Sequence, residues 1–513
     1  MRSSILLLLL IVSCLTVRAQ SKVAVDLQQA SIEQLQQWME EGNISSLQLV
    51  EYYLERIRKY DQAGPKLNAV LVINPEARSI ARQMDRERRN GLIRSPMHGI
   101  PILIKDNINT SDKMPTTGGS LLLKDHFAGE DAFIVRKLRE AGAVLLGKTN
   151  LSEWANFRSV NSSSGWSSLG GQTRNPHDTT ITPCGSSSGS GVAVAADLCT
   201  IAIGTETDGS IACPAAVNGI VGIKPTVGLW SRSGIIPISH TQDTPGPMAR
   251  CVMDAAVLLG ICAGIDRKDS VTVRQNKVGD YTIFCQENTL RGSRLGVDTS
   301  FLSRNDRVSI LFRQNLEKMK SAGAQIVPLK YTQLMRDMGD LEFNILLYEF
   351  KHDLALYLSQ TALPFRTLSD LINANKEREE QIMPIFGQEI FLMAEEKGTL
   401  SDSAYLTALI NCTRRSQSLI DSLMEVHHLS AIVGPALGAG WKIDHENGDK
   451  GSGPSAYSIS SRAGYPSITI PSGELNGLPL AISFMAGAYN EDKLIGLAYD
   501  FEQKFNPELK VDF

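Results

Sequence analysis

Several things are missing from this chain, and each absence narrows its function. Charge of one sign is missing: 51 Lys and Arg stand against 55 Asp and Glu, giving −4 and a pI of about 6.1. With no basic stripe either, the balance argues against nucleic acid as a partner. Metal-ligand spacing is missing too. The eight cysteines form no Cys-x-x-Cys pair, and the eight histidines are scattered apart from His427-His428. Neither pattern reads as a zinc centre, so no metal or cofactor is expected. No Gly-Lys-Ser/Thr follows the glycine-rich turns, which sets aside a phosphate loop. Internal repeats are absent. What remains is 42% hydrophobic and 21% charged over 513 residues, the composition of a globular protein with a large core.

Arg2 precedes an apolar run from Ile5 to Val12, followed by small and polar residues and Val17-Arg18-Ala19. That order of charged, apolar and small residues predicts a signal peptide over residues 1–19, cleaved after Ala19, and an exported, periplasmic or secreted protein. The run is too short to span a bilayer, so no integral membrane segment is expected after cleavage. A rival reading takes Ile11-Val12-Ser13-Cys14 as a lipoprotein cleavage site with Cys14 carrying the lipid. The other seven cysteines are an odd, thinly spread set, poor evidence for a disulfide framework. They read as small core residues, with Cys184 and Cys213 packing beside two serine-bearing turns.

Those turns are the densest chemistry in the chain. The first is Pro183-Cys184-Gly185-Ser186-Ser187-Ser188-Gly189-Ser190-Gly191, followed by an apolar run from Val192 to Ala196. The second is Thr205-Glu206-Thr207-Asp208-Gly209-Ser210, followed by Ile211-Ala212-Cys213-Pro214. Glycine lets the backbone turn sharply and aim its N–H groups, while serine brings a hydroxyl. Together they suit a loop that holds a nucleophile against a carbonyl and binds the resulting oxyanion. Gly185-Ser186-Ser187-Ser188-Gly189 also satisfies Gly-x-Ser-x-Gly, the elbow of α/β-hydrolases. That esterase reading makes Ser187 the nucleophile and needs a later acid and histidine, such as Asp421 and His445. An elbow should follow a strand, however, and residues 175–184 are turn-like.

Taken in order, Ser31 with Gln34 and Ser45 with Gln48 predict capped helices, the second with an apolar face of Leu47, Val50, Leu54 and Ile57. A further helix is expected from Pro75 to Asn90. Ile100 to Ile104 is a short strand ending on Lys105, Asp131 to Ala141 a helix, and Val144 to Leu146 a strand. This alternation predicts an α/β class with a partly parallel sheet. Residues 159–171, rich in serine and glycine, read as a long functional loop feeding the first turn. A helix follows over Met253 to Ala263, and residues 305–425 read as helices covering the cleft. Strands return at Ala431 to Val433, Ser467 to Ile470 and Gly477 to Ile482, before a closing helix from Asp492 to Glu502.

The two turns, together with His98-Gly99-Ile100-Pro101-Ile102-Leu103-Ile104-Lys105-Asp106-Asn107, resemble the amidase signature family, and their wording is similar to its bacterial peptide amidases. The resemblance is dense from about Asn68 to Ala255 and resumes near Gly434 to Glu502. It implies one large domain over residues 20–513, a mixed central β-sheet covered by helices. Its parts are N-terminal helices at about 28–95, a catalytic core at about 96–260, the helical cover, and a C-terminal return at about 430–505. It implies amide hydrolysis by a Ser–Ser–Lys triad: Ser210 as nucleophile, Ser186 in a cis peptide 24 positions earlier, and Lys105 as the base. The backbone N–H groups of Thr207, Asp208, Gly209 and Ser210 would form the oxyanion hole, with Ser187 in support. The substrates implied are C-terminal peptide amides or small acyl amides. Two positions depart from the commoner family wording, with Asp208 where glycine is usual and Ala212 where arginine is usual. An inactive binding protein of the same fold, or a component of a glutamine amidotransferase, would be written similarly. No triad member is lost, which speaks against the first, and the N-terminal signal speaks against the second. Oligomeric state is not legible.

Overall fold

In a computed structural model, residues 25–511 are described, apart from 276, 277, 305, 452, 454, 506, 508 and 510. The signal peptide and Cys14 lie outside the described residues. Eleven strands form one mixed sheet. In chain order they are β1 (Val70–Ile73), β2 (Pro101–Lys105), β3 (Val144–Thr149), β4 (Ile201–Glu206), β5 (Val221–Lys224) and β6 (Thr244–Ala249), then β7 (Arg294–Asp298), β8 (Gln325–Leu329), β9 (Ala431–Pro435), β10 (Ser467–Leu475) and β11 (Leu478–Met485). Across the sheet the order is β1-β3-β2-β4-β6-β5-β10-β11-β9-β7-β8. β2 runs parallel to β3 and β4, whereas β6, β5, β10 and β11 pair antiparallel.

The central strands are buried on both faces, which is why they read as unbroken apolar runs. The register sets Ile102 beside Ile201 and Ile104 beside Ile203, so Lys105 and Thr205 end up at the same edge of two parallel neighbours. Ligands of open α/β sheets gather outside such carboxyl ends.

Helices α1 (Ile32–Glu40) and α2 (Ser46–Arg56) each begin with a complete capping box, from Ser31 and Ser45. Each such cap contributes about 1 kcal/mol. The expected apolar face of α2 packs on the core, with Val50 and Ile57 buried and Leu47 and Leu54 half-covered, and it extends to Leu49 and Tyr53, which are buried as well. The buried Tyr53 hydroxyl finds its partner in the Thr200 hydroxyl (3.0 Å). α3 (Ala77–Arg89), α4 (Phe133–Glu140), α7 (Val252–Cys262) and the closing helix Glu491–Phe505 fall where periodicity placed them.

The segment 159–171 is no linker. Ser159, Ser163, Ser164 and Ser167 are buried, and the segment closes on a small hairpin, Trp166–Ser167 with Gly171–Gln172. The region 305–425 needs a correction, because it is not wholly a helical cover. After α8 (Arg307–Ser321) the chain re-enters the sheet as β8, parallel to β7. β8 is an edge strand with Gln325 and Pro328 exposed, and that mixed pattern hides it from a search for apolar runs.

Candidate active site

Four segments converge on the carboxyl ends of β2 and β4. The first is the end of β2 itself. Lys105 is wholly buried, and its Nζ donates to Ser186 Oγ (2.7 Å), Ser187 Oγ (3.1 Å) and Thr205 Oγ1 (2.9 Å). A fourth, longer contact reaches the Thr205 carbonyl (3.3 Å). Burial lowers the lysine pKa to about 7, and Asp243 and Glu206 oppose that drop only in part. An ammonium removed from water loses more solvation than four neutral oxygens restore, so the neutral amine becomes accessible.

The first serine turn is the second segment, and it lies against the start of α5 (Ser188–Ala195). The Gly185–Ser186 peptide bond is cis. Ser187 Oγ donates to the Thr205 carbonyl (3.0 Å) and accepts from the Thr205 N–H (3.1 Å), while Ser190 Oγ donates to the Ile203 carbonyl (2.9 Å). These bonds pin α5 to β4. The approach also requires Gly189, where a Cβ would sit 2.3 Å from the Ala69 carbonyl oxygen and 2.4 Å from that of Asn150. The Ser187 and Ser190 hydroxyls therefore satisfy buried backbone groups, and that of Ser187 stands against the lysine as well.

The second serine turn links β4 to α6 (Ala212–Asn218). The Ser187 N–H donates to the Ser210 carbonyl (3.2 Å), joining the two turns directly. Glu206 Oε2 accepts the N–H groups of Ile211 (2.7 Å) and Ala212 (2.9 Å), fixing where α6 starts. Gly209 has φ 80°, and a Cβ there would lie 2.6 Å from the Tyr457 ring, so glycine alone fits. Among the described residues, no acceptor is seen for the N–H groups of Asp208, Gly209 and Ser210. They lie at the N-terminal end of α6, where backbone donors accumulate.

The fourth segment, residues 238–243 before β6, braces this turn. Asp243 accepts the Thr207 hydroxyl (2.6 Å) and the N–H groups of Ile238 and Ser239. Gln242 Nε2 spans the Thr207 carbonyl (3.3 Å) and Glu342 Oε1 (2.8 Å), and Glu342 holds Arg462 (2.7 Å). Asp208 faces the same cluster, its Oδ1 buried and without a hydrogen-bond partner among the described residues. Burial, followed by the nearby Glu342 charge, pushes its carboxyl well above the usual carboxylate range. A protonated carboxyl next to the turn avoids the repulsion that a carboxylate would exert on an oxyanion.

The residues singled out in the sequence thus come together: Lys105, Ser186, Ser187, Thr207, Asp208, Gly209 and Ser210. The elbow acid Asp421 does not join them. Asp421 accepts the Tyr465 hydroxyl (2.9 Å), Ser187 bonds Lys105 and Thr205, and no strand precedes it. Cys184 and Cys213 correct the reading as packed thiols. They form a disulfide that clamps the residue before Gly185 to the second residue of α6. An odd total concealed a single pair. Thr205, Asp243, Glu342, Tyr457 and Arg462 carried no signal, apart from Thr205 lying inside the second motif.

Comparison with known proteins supplies the family. The family model described as Amidase matches residues 48–495. The Arabidopsis thaliana protein named "Probable amidase At4g34880" is 39% identical over 489 residues, covering 93% of this chain and 90% of its own. Among solved structures, the native peptide amidase of Stenotrophomonas maltophilia superposes with a TM-score of 0.89 at 46% identity, covering 94% of this chain and 99% of its own. A complex of peptide amidase with the competitive inhibitor chymostatin superposes with a TM-score of 0.91 at 47% identity, over the same shares. The chain belongs to the amidase signature family and is a hydrolase of amide carbon–nitrogen bonds.

Proposed function

We propose that this amidase hydrolyses C-terminal peptide amides or small acyl amides to acid and ammonia through Ser210, Ser186 and Lys105. The observation that carries the triad is the 2.7 Å contact between Lys105 Nζ and Ser186 Oγ inside a wholly buried site. Neutral Lys105 accepts the Ser186 proton as Ser186 takes that of Ser210, and Ser210 Oγ attacks the amide carbon. The developing oxyanion is held by N–H groups of the 207–210 turn, each worth about 3–4 kcal/mol in other hydrolases. The proton returns through Ser186 to the departing nitrogen, since ammonia must leave as a neutral molecule. Water then cleaves the acyl-enzyme by the same relay. Ser187 orients the lysine and holds β4 against α5.

Peptide amides are favoured over other amides by the resemblance to solved peptide amidases at 46% and 47% identity. Asp208 in the oxyanion turn supports the same choice, because it replaces the glycine of the commoner wording. Export is also proposed. It rests on the order of residues 1–19 and is supported by the Cys184–Cys213 bond, a linkage that persists in oxidising compartments.

The test is ammonia release from a panel of peptide amides and short acyl amides by the purified protein, with matching esters in parallel. Peptide amides should lead in kcat/KM. Turnover of esters alone would overturn the amidase reading, and turnover of acyl amides without peptide amides would overturn the substrate assignment.

A further inference from the structure

Outside the active site, two histidines and a carboxylate that are remote in sequence meet at the surface. His240 belongs to the bracing segment 238–243, and His352 and Asp353 lie on α9 (Met338–Ser359). Asp353 stands between the two rings. Its Oδ1 is 2.8 Å from His352 Nδ1, and its Oδ2 is 2.9 Å from His240 Nδ1 while also accepting the His240 N–H (2.9 Å). One ligand atom from each residue lies within 4.8 Å of the others. We propose that His240, His352 and Asp353 form a site for a divalent transition ion of zinc's character, fastening the segment that braces the oxyanion turn to α9.

Three observations favour a metal over a plain hydrogen-bonded cluster. The donor set comes first: two imidazoles and one carboxylate, with a water in the fourth position, suit zinc and its neighbours and do not suit calcium or magnesium. Geometry comes next. Ligands about 2.0–2.2 Å from a tetrahedral ion stand about 3.3 Å apart, so the two nitrogen–oxygen separations at Asp353 need to open by about half an ångström, and the two imidazoles already lie within 4.8 Å of one another. The third is the support behind His240. Its Nε2 lies 3.4 Å from Glu349 Oε1 and 3.5 Å from the Tyr405 hydroxyl, and Glu349, wholly buried, accepts from Tyr405 (2.7 Å). A metal-bound imidazole characteristically turns its other nitrogen toward a carboxylate, and Glu349 stands on that side of His240.

Charge and access are also suitable. Asp353 and Glu349 face the cluster, and the nearby cation, Arg232, pairs with Asp269 at 2.6 Å while also donating to the His240 carbonyl, so its charge is balanced beside the site. The side chains of His240 and His352 are 40% and 48% exposed, which leaves solvent free to deliver the ion and complete its shell. On binding, the ion replaces the protons now shared between Nδ1 and the carboxylate, so affinity should fall at acid pH. None of these groups touches Lys105, Ser186 or Ser210 in the contacts above, so turnover does not require the ion. Its effect passes through Asp243 and Gln242, which hold Thr207.

The experiment is a zinc titration of the chelator-stripped full protein by calorimetry, with cobalt absorption as a geometric probe. One equivalent should bind with the intense visible bands of a four-coordinate cobalt site, and the melting temperature should rise. H352A should weaken zinc binding at least tenfold while keeping the chelator-stripped melting temperature and turnover. D353N should do the same and stands in if H352A fails to fold. A double H427A/H428A variant should bind as the wild type. Absence of stoichiometric binding, the weak bands of six-coordinate cobalt, or binding that survives in H352A and disappears in H427A/H428A would each overturn the site.

Discussion

The amine of Lys105 lies 2.7 Å from the hydroxyl of Ser186, with no solvent reaching either. This pairing sets the pH dependence of the enzyme. Burial brings the lysine to about 7, and only its neutral form can accept a proton. The sign follows: below that value the amine is charged and idle, and above it the base is available. We expect kcat/KM to rise about tenfold per pH unit below 7 and to level off above it. Asp243, raised to about 6 by burial, adds a second limb further down through its hold on Thr207. A rate that stays flat from pH 5.5 to 8.5 would remove Lys105 as the general base.

The same pairing predicts the behaviour of Lys105→Ala. Turnover should fall by on the order of 10³ or more, because no histidine stands in either serine turn to replace the amine. Folding should survive. The substitution opens a polar cavity, yet it removes a cation that the fold keeps against its solvation preference, and the two effects oppose one another. Steady-state ammonia release together with a thermal melt separates them. A cooperative fold with substantial activity would show that the proton goes elsewhere.

Part of this site was legible because its turns are local: Ser186, Ser187 and Ser210 sit in short glycine-rich turns. Lys105 ends a strand that is apolar throughout, a pattern that by itself marks only a strand end, and its role and those of the two serines came with the family resemblance. What escaped depends on long-range closure. Asp243 and Gln242 brace Thr207 from 36 and 35 residues away, and Gln242 reaches on to Glu342, 100 residues further. No spacing rule announces such partners. β8 escaped for another reason, since an edge strand with exposed Gln325 and Pro328 lacks the buried pattern that betrays its neighbours. The face of α2 was read too narrowly, because Tyr53, amphipathic by nature, was not counted as core. The disulfide was lost to counting, because one bonded pair among free thiols leaves an odd total.

That disulfide gives a third prediction. It closes a loop of sequence separation 29 that contains both Ser186 and Ser210. A loop of this length contributes about 3–4 kcal/mol by chain entropy alone. Its sulfurs are packed with Ala212, Ala216, Val217 and Tyr457, so a C184A/C213A variant keeps apolar filling. We expect chemical denaturation to show a loss of about 2–4 kcal/mol relative to the oxidised protein. Denaturant curves that superimpose would mean that the two sulfurs are not bonded in the native protein.

The covalent acyl-enzyme should form on Ser210 rather than Ser187, and the two serines can be told apart because they lie in different turns. Ser187 is already occupied. Its hydroxyl receives the Lys105 ammonium and the Thr205 N–H and gives its own proton to the Thr205 carbonyl. A hydroxyl committed on three sides has no free trajectory toward a carbonyl carbon, and its removal should chiefly disturb the lysine. Ser210 instead follows N–H donors with no acceptor among the described residues, where a tetrahedral oxygen can be received. A serine-directed fluorophosphonate should therefore label Ser210 alone, located by fragmentation of the labelled peptide, and Ser210→Ala should abolish both label and turnover. Ser187→Ala should keep the label on Ser210 while slowing its attachment. If the added mass maps to residues 185–189 and persists in Ser210→Ala, the nucleophile is Ser187, and the relay from Lys105 must be rewritten around it.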